Sequence, residues 1–176
     1  MTVITRDILK SVFQKRRVDS HKYQFGSLLV VGGSKIYHGS PTFNALGAYR
    51  TGADIVTIAA PERAANLAAS QGPDLITHPL KGDFLAEKHV KEISKLAKDC
   101  DAMVIGGGMG REKETKKAVR KILKEFEKLA VVDADGIRAI RKSDLKKNIV
   151  LKPHAKEFEF ISKKKPIKEN VEKFAK

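Results

Sequence analysis

An α/β fold, a mostly parallel sheet with helices on both faces, is predicted by three observations. Short continuous apolar runs recur along the chain, as strands buried on both faces require. Between them lie segments with apolar residues at helical spacing. Glycine, proline and acidic residues cluster just after the apolar runs, where such sheets turn into helices and bind their ligands.

The elements follow in order. A helix is expected from Thr5 to about Phe13, with Thr5 as cap and Asp7 in its first turn. SLLVVGG (27–33) reads as a strand, and PTFNALGAYRTG (41–52) as a helix that opens on proline and closes on glycine. ADIVTIAAP (53–61) is the second strand, 62–72 a helix stopped by Gly72-Pro73, and DLITHPL (74–80) a short third strand. Residues 84–99 place Phe84, Leu85, Val90, Ile93, Leu96 and Ala97 on one helical stripe. Strand AMVIGGG (102–108), a basic helix over 112–128, strand LAVVDAD (129–135), a short helix over 136–143 and strand NIVLKPH (148–154) complete the pattern. Six strands alternating with helices make one domain over 1–176, without repeats or a linker.

Composition narrows the class. The hydrophobic content of 41% excludes disorder, no apolar run is long enough to span a bilayer, and the first residues do not read as a secretory signal, so a soluble cytoplasmic protein is expected. A single cysteine, Cys100, excludes an internal disulfide and a thiolate metal cluster and is expected to pack. The net charge of +14 invites a nucleic-acid reading, but lysines alternate with acids at helical spacing in the second half, and no aromatic residues interleave with the basic runs. That pattern suits solvated helix faces, and nucleic-acid binding is not expected as the primary function.

The string VIGGGMGRE (104–112) joins a strand to a helix through a glycine-rich turn. Bare backbone at Gly106, Gly107, Gly108 and Gly110 suits an anionic or nucleotide-like ligand, and equally a tight turn with no ligand. Arg111 stands where a third fingerprint glycine would be required, and no phosphate-loop sequence is present. Gly39 and Ser40 precede Pro41; Ser40 is read as the helix N-cap, with ligand contact as the alternative. Asp133 and Asp135, one residue apart at a strand end, are expected to point the same way, able to order the turn and cap the next helix or to hold a ribose or a hydrated magnesium ion. His154 follows Pro153 at a strand end, where it is either structural or a ligand contact; one histidine without a cysteine pair makes zinc improbable.

Together, HKYQFGSLLVVGGSKIYHGSPTFNALGAYRTGADIVTIAAPE, DAMVIGGGMGRE, VVDADGIRAI and IVLKPHAKEFEFI resemble, in order and spacing, the motifs of the ADP- or ATP-dependent NAD(P)H-hydrate dehydratases of the ribokinase-like superfamily. The resemblance implies nucleotide-dependent repair: phosphorylation of the S epimer of hydrated NADH or NADPH, then elimination of phosphate, with ADP or ATP and Mg2+ as cofactors. It places Ser40, where the family usually has alanine, together with Gly108, Gly110 and His154 at substrate-contacting positions. Gly39, Asp133 and Glu157 are possible supporting residues. Departures are Gly107 for proline, Met109 for leucine, Lys152 for threonine and Lys156 for glycine. The family's nucleotide-binding portion, with its catalytic aspartate and anion hole, has no counterpart here, so no residue of this chain is assigned as catalytic. A fragment, a half-enzyme completed by another chain, and a binding protein without turnover are the resulting expectations; another small-molecule kinase of the same fold is the alternative. An exposed sheet edge would favour homo-oligomer formation or a complementing chain.

Overall fold

The structure, a computed structural model, describes residues 5–13 and 15–175. Among these, strands β1 (Ser27–Val31), β2 (Ile55–Pro61), β3 (Ile76–Leu80), β4 (Ala102–Ile105), β5 (Leu129–Val132) and β6 (Ile149–Leu151) form one sheet in the order β3-β2-β1-β4-β5-β6. Every neighbouring pair is parallel, as the unbroken apolar runs predict. Helices α1 (Arg6–Val12), α2 (Gly39–Arg50), α3 (Glu62–Ala69), α4 (Val90–Ala97), α5 (Lys113–Glu125), α6 (Asp135–Ala139), α7 (Ala155–Ser162) and α8 (Lys168–Ala175) intervene or follow.

The period-two alternation of each strand divides the core. Leu29, Val31, Met103, Ile105, Ala130 and Val132 face a core shared with Ile93 of α4, Val119 and Ile122 of α5 and Ile137 of α6. Val30, Val56, Ile58 and Ala60 face the other way, against Ala45 of α2 and Ala64, Ala65 and Ala68 of α3. The two faces are not equally covered. Val30, Val104, Val131 and Val150 lie in register across β1, β4, β5 and β6. Val30 is buried, Val104 and Val131 are half-buried, and Val150 is 49% exposed. Helices therefore cover both faces at β1 and β2, but one face thins out toward β6.

Element boundaries differ from expectation in informative ways. Thr5 occupies the N-cap of α1, yet its hydroxyl makes no capping bond. Helix α2 begins two residues early, at Gly39, with His38 as N-cap, so Ser40 lies inside the first turn and is not the cap. Pro41 is buried at the third position, where its missing N–H is one the helix leaves unpaired anyway. The stripe expected as one helix over 84–99 is split: Leu85 is buried in the preceding loop, Glu87–His89 form a short 3-10 turn, and α4 starts at Val90. His89 causes the break by capping from the side chain, Nδ1 accepting from Ala86 N at 3.0 Å and Nε2 reaching Lys81 O at 3.1 Å. Cys100 is buried as expected, and burial raises its thiol pKa. The basic helix carries one pair at helical spacing, Lys117 with Glu114, while Lys117 and Lys121 also reach Glu87 of the 3-10 turn; pairs four residues apart, Lys168 with Glu172 and Lys173 with Glu169, lie in α8.

Candidate functional site

The strand order reverses direction between β1 and β4, and a crevice opens beyond the carboxyl ends of two such strands because their connections leave to opposite sides. Two glycine-bearing turns meet there. Gly106 N donates to Val31 O at 3.1 Å, and Gly33 N donates to Gly107 O at 2.8 Å, so the turn after β4 is hydrogen-bonded to the turn after β1.

The glycines of this turn serve the protein's own packing first. Gly106 has φ +135°, and a side chain there would run into the Asp133 carbonyl and lie 2.9 Å from Gly136 N. A side chain at 107 would collide with the Ser40 hydroxyl. At Gly108, φ +68°, it would sit 2.8 Å from Tyr37 O. Only at Gly110, among the four, does the missing side chain point into open space. The bare backbone therefore admits three neighbouring segments, those bearing Asp133, Ser40 and Tyr37, and brings them to one point.

The carboxylates have separate partners, contrary to the expectation that they point together. Ala134 between them adopts φ +50°, which breaks the extended strand. Asp133 Oδ1 accepts from Ala134 N at 2.8 Å, ordering the turn as expected, and Oδ2 pairs with Lys152 at 3.2 Å. Asp135 is the first residue of α6, not its cap; Oδ2 accepts from Gly110 N at 3.1 Å and Oδ1 from Arg111 Nε at 3.3 Å. Among the described residues no three His, Cys, Asp or Glu side chains converge in a way that could hold a metal ion. The donors present thus do not cage magnesium, an ion that is commonly bound through nucleotide phosphates with only one or two protein carboxylates.

A cavity of about 760 Å³ opens beside the turn, lined by Ser34 to Tyr37, Asp83, Phe84, Gly108 to Glu112 and Asp135. That volume suits a small-molecule ligand. Of the residues singled out from the sequence, Gly108, Gly110, Arg111 and Asp135 line it. Ser40 lies behind the turn, against Gly107 and Gly108, with Gly39 beside it in α2. His154 and Glu157 do not line this cavity and form a different device, the capping box of α7. His154 Nδ1 accepts from Lys156 N at 3.1 Å, Nε2 lies 3.1 Å from Glu157 Oε1, and Glu157 Oε2 accepts from His154 N at 3.0 Å. Because Nδ1 is an acceptor, the neutral ring carries its proton on Nε2 and donates it to the buried Glu157. The ring itself stays 60% exposed.

Sequence reasoning missed Tyr37, Phe84, Lys35 and Asp83 as cavity residues. Only their long-range pairing reveals them: Lys35 N donates to Asp83 O at 2.8 Å and Lys35 Nζ pairs with Asp83 Oδ2 at 3.0 Å. Gly136, which meets Gly106 at 2.8 Å from where a Cβ would stand, could have been found as a glycine inside a helical pattern.

The doubly wound parallel sheet, with paired turns and a cavity at the switch point, is that of an open α/β protein that receives its ligand beyond the strand ends. Solved structures agree: a hypothetical protein of Streptococcus mutans superposes with a TM-score of 0.85 at 21% identity over 98% of this chain and 63% of its own. The ADP/ATP-dependent NAD(P)H-hydrate dehydratase of Bacillus subtilis, co-crystallized with ATP and Mg2+, superposes with a TM-score of 0.70 at 24% identity, over 90% of this chain and 55% of its own. The model of the NAD(P)H-hydrate dehydratase family matches residues 28–176, and the chain belongs to that family. It is 40% identical over 162 residues to the bifunctional NAD(P)H-hydrate repair enzyme of Pyrobaculum aerophilum, covering 91% of this chain and 32% of that relative. It is 35% identical over 157 residues to the ATP-dependent (S)-NAD(P)H-hydrate dehydratase of Entamoeba histolytica, covering 85% of this chain and 51% of that one. The chain thus spans 32% and 51% of the lengths of these two curated relatives.

Proposed function

We propose that this chain is the hydrate-binding part of a nucleotide-dependent NAD(P)H-hydrate dehydratase, acting on the S epimer in metabolite repair. One observation carries the reading: in a chain of this family, the glycine turn after β4 is fixed beside a ligand-sized cavity at the sheet's switch point. Gly110 leaves open space there while its N–H is held by Asp135, and Arg111, 65% exposed and paired with the same carboxylate, stands at the rim. Ser40 and Gly108 act by shaping the turn. His154 presents an exposed ring from a rigid cap and is the proposed further substrate contact, supported by Gly39, Asp133 and Glu157.

ADP or ATP supplies the phosphoryl group in this reading, and magnesium enters with the nucleotide. The chain's own residues bind and orient the hydrate; the general base for its hydroxyl is assigned to the part of the fold that longer relatives possess. The open side of the Val104–Val131–Val150 row and the free edge of β6 are the proposed seat for that part, whether a complementing chain or a second copy. Among the described residues no helix is long and apolar enough to cross a membrane, which fits the cytoplasmic setting of the cofactor pool.

Calorimetry with the S epimer of NADH hydrate tests the reading, followed by addition of the corresponding carboxyl-terminal part of the Pyrobaculum relative and ATP. Hydrate binding, and NADH formation only with the added part, are expected. Phosphorylation of another small alcohol without NADH formation would instead support a kinase of the same fold, and binding without turnover in the completed assembly a non-catalytic protein. His154→Asn keeps a capping acceptor while removing the ring; unchanged hydrate affinity in that variant removes His154 from the site.

A further inference from the structure

Two loops 48 residues apart in sequence form one wall of the cavity. The loop after β1 reaches the loop after β3 through the Lys35 amide and the Lys35–Asp83 ion pair described above. Within the first loop, Ser34 is 7% exposed; its N–H donates to Tyr37 O at 3.0 Å, and its Oγ accepts from Tyr37 N at 3.1 Å. The Tyr37 backbone is thus fixed by Ser34 on one side and packed against Gly108 on the other. Its side chain nevertheless remains 62% exposed, and Phe84, immediately after the tie at Asp83, is 38% exposed. Both line the cavity.

Exposed aromatic side chains on a fastened backbone have a physical use. An aromatic ring offers a large apolar face, and a fixed backbone reduces the ordering entropy that binding would otherwise cost. Planar heteroaromatic rings stack on such faces, a contact every such ring can make through its π-face. Lys35 is paired with Asp83 on this wall and Arg111 with Asp135 on the other, and Glu112 adds a further carboxylate, so the apolar contact surface of the cavity rests on Ile36, Tyr37 and Phe84. A concave space of about 760 Å³ matches a nucleotide better than the broad flat area of a protein partner.

We infer that Tyr37 and Phe84 form a ring-binding platform for the heteroaromatic moiety of a nucleotide, and that the Lys35–Asp83 tie positions the platform. The inference rests on the nucleotide-type substrate proposed above, and it adds the residues that receive the ring. Lys35 and Asp83 are positioning residues: they act by holding the two loops together.

The test titrates the full chain by calorimetry with NADH hydrate, reduced nicotinamide mononucleotide and AMP, the last two separating a dihydropyridine from a purine ring. Tyr37→Phe should bind within about twofold of wild type, whereas Tyr37→Ala and Phe84→Ala should each lose about tenfold or more for the same mononucleotide, the range expected of base stacking. Lys35→Asp should weaken binding and the double variant Lys35→Asp, Asp83→Lys should restore it, whereas Asp83→Asn, which keeps the cation and removes only its partner, should weaken binding as well, an effect that a need for the cation alone would not give. Circular dichroism and sedimentation accompany each variant. Unchanged affinity in Tyr37→Ala for every probe overturns the platform while leaving the hydrate reading in place. Wild-type binding of AMP but not the hydrate, with loss in Tyr37→Ala, overturns the substrate reading and supports the platform. Binding of none of the three overturns both, and a Tyr37→Ala effect on sedimentation without one on affinity overturns the platform in favour of a protein contact.

Discussion

The central strands β1 and β4 are fastened by different chemistry at their two ends. At the amino end the fastening is a charge: Asp101 Oδ2 accepts from Ser27 N at 2.8 Å and lies 2.9 Å from Ser27 Oγ, while Asp101 N returns a bond to Ser27 O at 2.8 Å. At the carboxyl end the fastening is shape: Gly33 and Gly107 bond through backbone, and Gly106 fits against Asp133 and Gly136 because neither Gly106 nor Gly136 has a side chain. The charged end works by hydrogen-bonding an exposed carboxylate; the glycine end works by excluding every side chain. The cavity lies at the second end, beside the turn that this close backbone approach fixes.

The largest effect that would sharpen this contrast is expected from Gly106→Ala. With φ +135° and no room beside Asp133, the substitution should destabilise by roughly 3 kcal/mol or more, or prevent folding, as measured by urea denaturation. A loss below about 1 kcal/mol would show that the turn can rearrange and that shape does not hold this end. A charged fastening elsewhere provides the intermediate case. Glu157→Ala removes the buried half of the α7 capping box and leaves His154 N without that acceptor, so a loss of about 2 kcal/mol is expected in the same experiment.

Smaller again is Asp101→Ala, about 1 kcal/mol, because the residue is solvent-exposed and water replaces part of what is lost. Its carboxyl is held below the ordinary 3.8 by the Ser27 backbone and hydroxyl bonds. Asp54 is likewise lowered, chiefly by the bond from Phe25 N and also by Arg16. Depressed carboxyl values mean that this stability is present in full above the unfolded value and is lost as pH falls below about 3.8 toward the folded one. Acid titration of wild type and Asp101→Ala should therefore converge at low pH, and parallel curves would deny the carboxylate its role. A comparably small effect is expected at Gly110→Ala. Space is open there, so only the φ of +79° opposes the side chain, for roughly 1 kcal/mol, while ligand affinity should fall because a methyl group enters the cavity.

Much of this was legible along the chain. Continuous apolar runs announced parallel strands, and the glycine string announced a tight turn after β4. The turn's reason was not legible, because the segments that require bare backbone, those bearing Tyr37, Ser40 and Asp133, lie far from it in sequence and meet it only after the sheet closes. Asp135 illustrates the same limit: a carboxylate at a strand end looks like a helix cap until Ala134 turns the chain and delivers it to Gly110.

By itself the sequence determined the strand and helix periodicity, the parallel sheet and the family motifs, since these follow from local sterics and from spacing along one chain. Only the tertiary structure decided which strand-end residues share a cavity, which are spent on capping, and that Lys35 reaches Asp83 across 48 residues to hold Tyr37 and Phe84 on one wall. Those outcomes depend on strand order and on contacts between distant segments, and residues far apart along a chain acquire fixed distances only when a shared core brings them together.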